Sequence, residues 1–313
     1  MKPFRFVAML SLLAVMAFTV PPKDIRLQYV FKVGDQYALT QTTKQTIKQS
    51  IPAMGDVTVE VAAESVLAMK IAVLTATGAK IEAHYEKMSI STKLPMGQGD
   101  MNIDSDSNED NAQNKVVKSM MNKMFSFTIT KQGVIEKVEG LDNLFSDFES
   151  LGLDDATINT FKEQFEQSMN ETSMKATLAQ SLISYSDKKV KIGDSWRTTT
   201  SGQVLSVPTQ IAQTWSLKGT EAAKATVQAD GAVASTDKDK VMNLPNGIKS
   251  KLAASGKQKL VASVNPKTGW PTDVKVNSEV KGIMTLLAGG MIPADMDVPI
   301  ETVAESVHKI VKR

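Results

Sequence analysis

Cysteine is absent from the 313 residues, histidine occurs twice, and aromatic residues make up only 5%. Without cysteine there is no disulfide framework, no thiolate metal site, no cysteine nucleophile and no lipid-anchoring thiol. Charge of one sign is also lacking. The 36 Lys and Arg stand against 34 Asp and Glu, a formal balance of +2 that Lys2 and Arg5 alone supply. A neutral remainder excludes long-range steering towards nucleic acid or anionic lipid. Walker A loops, G-x-S-x-G elbows and H-E-x-x-H helices are missing as well, so no common catalytic motif is present.

What is there begins with an address. Residues 1–20 carry a short basic start, an apolar run from Phe6 to Phe18 and small residues around Val15-Met16-Ala17. That order predicts a cleavable secretory signal peptide. The run is shorter than the ~20 apolar residues a membrane-spanning helix needs, and Pro21-Pro22 stops it. The expected location is the periplasm or the medium, with no integral membrane segment after processing.

Strand signals fill both halves of the rest. From 57 to 73, Val57, Val59, Val61, Ala63, Leu67, Met69, Ile71 and Val73 share one parity, while Thr58, Glu60, Glu64 and Lys70 hold the other. This alternation predicts a strand with one buried and one wet face. At ~3.3 Å per residue it would be roughly 55 Å long, so a bend or bulge is expected. Residues 36–50 are rich in Gln, Thr and Lys on both parities, the pattern of an edge strand. Hairpins are expected where Phe125–Ile129 leads to Gly133-Val134 and where Leu260–Val264 leads to Gly269-Trp270. Gly34-Asp35 and Gly193-Asp194 each precede a Thr-rich strand, and Asp56–Glu60 echoes Asp297–Glu301. Duplication or convergent strand chemistry would each produce such echoes.

Between 141 and 186 the period turns helical, with Ile158, Phe161, Phe165 and Met169, then Met174, Leu178 and Leu182, at spacings of three or four. Asp154 and Asp155 suit a helix start. The segment holds eight acids and two lysines. The expected architecture is α+β and mainly β: a long, curved, half-barrel-like antiparallel sheet covered by a central helical insert. Its parts are a signal peptide (1–20), a first β half (21–140), the acidic insert (141–186) and a second β half (187–313).

Three constellations imitate chemistry. Glu82-x-His84-x-Glu86 puts three metal-capable groups on one face of a strand, although Ile81, Ala83 and Tyr85 make that the solvent face. Gly193-Asp194-Ser195, with His308 as base, imitates a GDS-type esterase block, but Gly34-Asp35-Gln36 repeats the turn without a serine. Asp104–Asp110 opens like a calcium loop, yet Glu109 replaces the required glycine and Lys115 the bidentate Glu. No catalytic residue, cofactor or metal is therefore expected.

The run Lys123–Ile129 through Gly133–Leu141, together with Lys191–Trp196, resembles blocks of an uncharacterised family of exported bacterial proteins, a domain of unknown function. The likeness covers most of residues 25–307 and brings no catalytic residues with it. The expected architecture is also similar to the periplasmic half-barrel lipoprotein carriers, whose sheet and helices enclose acyl chains. The resemblance and the 17 methionines, adaptable fillers of apolar space, suggest a non-catalytic protein clasping a lipid or other apolar ligand, or a partner segment, between sheet and helices. The candidate lining residues are Met69, Ile71, Phe127, Phe161, Phe165 and Trp215. The alternative is a structural or interaction module that meets an envelope protein through its strand edges.

Overall fold

The computed structural model describes residues 24–52, 55–95, 99–204, 207–243, 248–289 and 292–313, with the side chains of 164–168, 203, 204 and 243 excepted. Residues 1–20, the expected signal peptide, lie outside that set.

Thirteen strands form one antiparallel sheet. In chain order they are β1 (Gln36–Ile51), β2 (Gly55–Leu74), β3 (Gly78–Lys93), β4 (Asp100–Asp104), β5 (Phe125–Thr130), β6 (Ile135–Glu139), β7 (Ser195–Val204), β8 (Val207–Thr220), β9 (Ala225–Ser235), β10 (Met242–Asn243), β11 (Lys249–Val264), β12 (Pro271–Leu286) and β13 (Met296–Lys312). The main path runs β6-β5-β3-β2-β1-β13-β12-β11-β9-β8-β7, with β4 beside β3 and β10 beside β11. The sheet is thus a meander in which the first strand pairs with the last. It opens in mid-chain, where the helical insert leaves the sheet.

That insert contains two 3-10 turns, Leu141–Phe145 and Phe148–Ser150, then α2 (Asp155–Ser168) and α3 (Glu171–Ser181). A further helix, Ala112–Met120, falls inside the first β half, where only strands were expected. Here it is α1; Asn111 caps it by accepting the N–H of Asn114. Asp154 does the same for α2, accepting the backbone N–H and the hydroxyl of Thr157, and these bonds hold its carboxyl below the usual range. Asn170 caps α3 through the N–H of Ser173.

The sheet must curl. Eleven strands at ~4.8 Å spacing would lie about 48 Å wide if flat. An eleven-residue helix is only about 16 Å long, yet α3 packs on β6, on β7 and on β12. Only a rolled sheet brings its two outer strands to one short helix. Two irregularities assist: the β2–β3 register slips at Val66/Leu67 and again at Ile71/Val73, where bulges raise the local twist.

The parity read over 57–73 holds in β2 as far as Ile71, with Leu67, Met69 and Ile71 fully buried and Val57 buried near the turn. It fails at Val73, which lies past the second slip and is 56% exposed. Residues 36–50, by contrast, do not form an edge. β1 is central, paired along its length with β2 and β13. Its polar inner face has another cause, given below. The two Gly-Asp turns are built alike: the Gly34 N–H donates to the Ile71 carbonyl and the Gly193 N–H to that of Leu217, each with positive φ.

The scarce aromatics are concentrated. Tyr37 stacks on Trp270 at 3.9 Å, and Tyr29, Phe31 and Tyr185 close around them. The Tyr185 hydroxyl donates to the Gly269 carbonyl at 2.7 Å. This knot seals one end of the roll.

Candidate functional site

The inner face of the sheet is layered along the strands. Nearest the aromatic knot lies the main core, with Leu39, Leu67, Ile81, Phe127, Trp215, Leu217, Leu260 and Val274 covered by Leu144, Phe148, Leu178 and Leu182 of the insert. At the far end a small second core gathers Val207, Met242, Leu252, Ala254, Val298 and Ile300. No contiguous core joins the two. Between them runs a belt of uncharged polar side chains.

Register places that belt. Thr198 faces Gln213 across β7–β8, Gln213 faces Gly231, Gly231 faces Gln258, and Gln258 faces Ser278. It continues through Ser306, opposite Thr43, and His308, opposite Gln41, which in turn faces Ser65. Side chains bond along it. Trp215 Nε1 donates to Thr198 Oγ1 (2.8 Å), and Gln213 Nε2 reaches across β9 to Gln258 Oε1 (3.0 Å). Gly231 makes that reach possible, because a Cβ there would lie 3.2 Å from Gln213 Cγ and 3.4 Å from Gln258 Cβ. Thr43 and Ser306 share a 2.9 Å bond.

A cleft of about 670 Å³ opens over the belt. α3 walls it with Met174, Ala176, Thr177 and Gln180, while Met88 and Ile90 of β3 and Ile211 and Val233 of β8 and β9 give it an apolar flank. Among the described residues no lysine or arginine lines it, and the one acid that does, Glu64, is paired with Lys87 at 3.3 Å. This explains β1: its inward Gln41, Thr43 and Gln45 are polar because they face a cleft instead of a dry core.

His308, which lines the cleft, pairs behind the cleft wall with a buried serine that sequence reasoning did not join to it. Ser181, at the end of α3, bonds His308 Nδ1 at 2.9 Å and accepts from Gln41 Nε2 at 2.8 Å. With Gln41 donating, the serine hydroxyl is free to donate to the neutral imidazole. Burial pushes His308 down to about 4, against a smaller opposing contribution from the Gln180 backbone. Burial also raises the Tyr85 phenol to about 12, and its hydroxyl points at Met174 Sδ.

The expected lining residues sit elsewhere. Met69, Ile71, Phe127 and Trp215 are fully buried in the main core and none lines the cleft. Their strong apolar parity marks the dry layer, which packs too well to leave space. Phe161 packs on that core from α2; the side chain of Phe165 lies outside the described residues. The signal that could have found the cleft was the reverse one: polar residues at inward parity on β1, β11 and β13.

The three imitations resolve into structure. Glu86 is held by the Arg313 guanidinium at 2.5 and 2.6 Å, which lowers its carboxyl below the usual range; His84 Nε2 lies 4.0 Å from it. Among the described residues no three His, Asp or Glu side chains converge as a metal site would require. Ser195 is exposed at the start of β7, with four strands of the sheet between it and His308 on β13. The acidic loop folds on itself, Asp104 accepting the Asp106 N–H and Ser107 that of Glu109.

A family model described as "Family of unknown function (DUF6263)" matches residues 76–271, well over half the chain. The chain belongs to that family. The DUF6263 match takes in β3 to β11 and the whole insert, and with them Thr198, Gln213 and Gln258 of the belt, while Gln41, Thr43, Ser278, Ser306 and His308 lie outside it. No curated protein matches the chain. Among solved structures it is similar to one on lipid–protein interactions in lipovitellin, at 11% identity and TM-score 0.47, covering 90% of this chain and 26% of that one. The chain thus spans about a quarter of that protein. It is also similar to the COG4313 outer membrane channel from Pseudomonas putida F1 (8%, 0.28, 90% and 97%) and to OccK7 (OpdD) of Pseudomonas aeruginosa (8%, 0.20, 89% and 100%). At these scores none of the three bears on function. No helix among the described residues is long and apolar enough to cross a membrane.

Proposed function

We propose that this chain is an exported, non-catalytic binding protein that holds a neutral amphipathic molecule in the cleft beneath α3. The observation that carries this reading is the uncharged polar belt set between two apolar zones. Gln41, Thr43, Gln258 and Ser306 already bond to Ser181, to one another or to Gln213, but each has further donor or acceptor capacity, as has Ser278. An apolar ligand alone would desolvate that capacity, at about 1–3 kcal/mol for each group left unpaired. An anionic headgroup would find no cation among the described lining residues. A ligand with an apolar chain and a hydroxyl, ester or amide head satisfies both layers, and 670 Å³ lies within the usual range for small-molecule pockets.

Catalysis is disfavoured by the state of the Ser181–His308 pair. Ser181 is 0% exposed, and an imidazole near 4 is a weak base at neutral pH, where general bases work best poised near 7. Export rests on residues 1–20, and amino-terminal sequencing of the chain from fractionated cells tests it: a start at Met1 in the cytoplasm contradicts it.

Binding is tested by native mass spectrometry of the delipidated protein with monoolein, oleate and oleoyl lysophosphatidylglycerol. Monoolein is expected to bind with one-to-one stoichiometry and at least tenfold more tightly than either anion. Ser278→Phe, which fills the floor of the cleft, should abolish the adduct. Absence of any adduct, or preference for the anions, overturns the reading.

A further inference from the structure

A sheet that does not close leaves backbone groups unpaired on its two outer strands, and here the two edges differ. β6 is five residues long, its register with β5 slips at Thr128/Ile129, and it carries Glu136, Lys137 and Glu139. Its Val138 N–H donates to the Glu171 carboxylate of α3 at 3.4 Å. Shortness, a bulge and edge charges all discourage addition of another strand. That edge is defended.

β7 has neither the shortness nor the bulge, and only a single charge. Its ten residues pair with β8 from Ser195↔Ser216 to Val204↔Val207 without a slip. It contains no proline and one charge, Arg197. Among the described residues, the backbone of 197–201 bonds to nothing outside β8. The exposed side of this edge faces a groove of about 660 Å³ lined by Arg197–Ser201, by Gln132, Val134 and Ile135 opposite, and by Thr172, Lys175 and Ala179 of α3. This groove is separate from the cleft that holds His308, and its reading does not depend on that of the cleft.

We propose that the groove is a strand-addition site for an extended, acidic segment of a partner polypeptide. Residues 197–201 offer about 16 Å of edge at ~3.3 Å per residue, room for five residues of a guest strand. In this mode main-chain bonds supply affinity and the flanking side chains supply selection. The selection here is for negative charge. Arg197, and the exposed Lys131, Lys188 and Lys189 on the segments that border the groove, have no acidic partner among the described residues. Among the described residues Asp187 is the one acid in the lining, and Glu171 of α3 is committed to Lys175 at 2.9 Å.

The test is hydrogen exchange of the full mature chain with the acetylated, amidated peptide Asp-Thr-Val-Thr-Val-Thr-Asp, a version N-methylated at alternate residues, and a version with Lys in place of Asp. The acidic peptide should slow exchange of the amides of 197–201 at least tenfold and saturably, while both other peptides should not. Arg197→Glu should weaken the effect about tenfold, and Ala179→Trp, which blocks the floor, should remove it. Arg197 is exposed, so the first variant remains informative if the second fails to fold. Ser278→Phe in the other cleft should leave the protection unchanged. Equal protection by the N-methylated or the Lys peptide overturns the proposal, as does no protection by the acidic one. Protection of 197–201 in peptide-free protein that rises with concentration, together with a dimer in sedimentation, overturns it in favour of a second copy as the occupant.

Discussion

His308 ties stability to pH in a way that can be worked out from its surroundings. It is 3% exposed, its Nδ1 meets Ser181, and the neighbouring Gln41 and Val274 side chains carry no charge. Burial lowers its proton affinity from an ordinary 6.5 to about 4. The unfolded chain therefore binds a proton that the folded chain refuses. Full stability is present above pH 6.5, falls as pH drops towards 4, and levels off below that. At about 1.4 kcal/mol per tenfold change in affinity, the loss is about 3 kcal/mol. Carboxylates titrate nearby, so the quantity to measure is a difference. Urea unfolding of the native chain and of His308→Gln at pH 7.5 and pH 4 should show the stability gap between them shifting by about 3 kcal/mol in favour of the Gln variant at the lower pH. A gap independent of pH would refute the claim that the imidazole is neutral and shielded.

Other outcomes follow from the same contacts. Gly231→Val should cost about 1–3 kcal/mol by forcing Gln213 and Gln258 apart, read as a lower urea midpoint, with Gly231→Ala milder. Gly269→Ala should cost about 3 kcal/mol or more and yield little soluble protein, because φ is +71° and the new Cβ would collide with the Gln28 carbonyl. Trp215→Ala, at 1% exposure, should cost about 3–5 kcal/mol in calorimetry or urea. Glu86→Gln should cost no more than about 1 kcal/mol, a difference that shrinks in high salt, since the Arg313 pair is largely solvated.

Where one periodicity governed, the sequence was readable. The run of alternating apolar residues in β2, the Gly133 and Gly269 turns and the 3.6-residue spacing of α2 and α3 each reflect a single constraint, burial of one face. Reading β1 as an edge failed because it assumed that polar residues on both parities mean solvent on both faces. Here the second face is a cleft, and only the pairing of β1 with β13, some 260 residues away in the chain, reveals it. Met69, Ile71, Phe127 and Trp215, expected to line a cavity, are buried in the main core and do not line the cleft. α1 was hidden by its short length and polar composition, AQNKVVKSM. Ser181 and His308 are 127 positions apart and meet only because α3 crosses the rolled sheet.

The occupant of the cleft decides the whole account. A monoolein analogue with a diazirine at mid-chain, photolysed on the delipidated protein and mapped by peptide mass spectrometry, should label Met88, Met174, Ile211 and Val233, the apolar flank beside the belt. Label confined to outward-facing side chains such as Val261, Ile283 and Val303, or spread without preference, would contradict it.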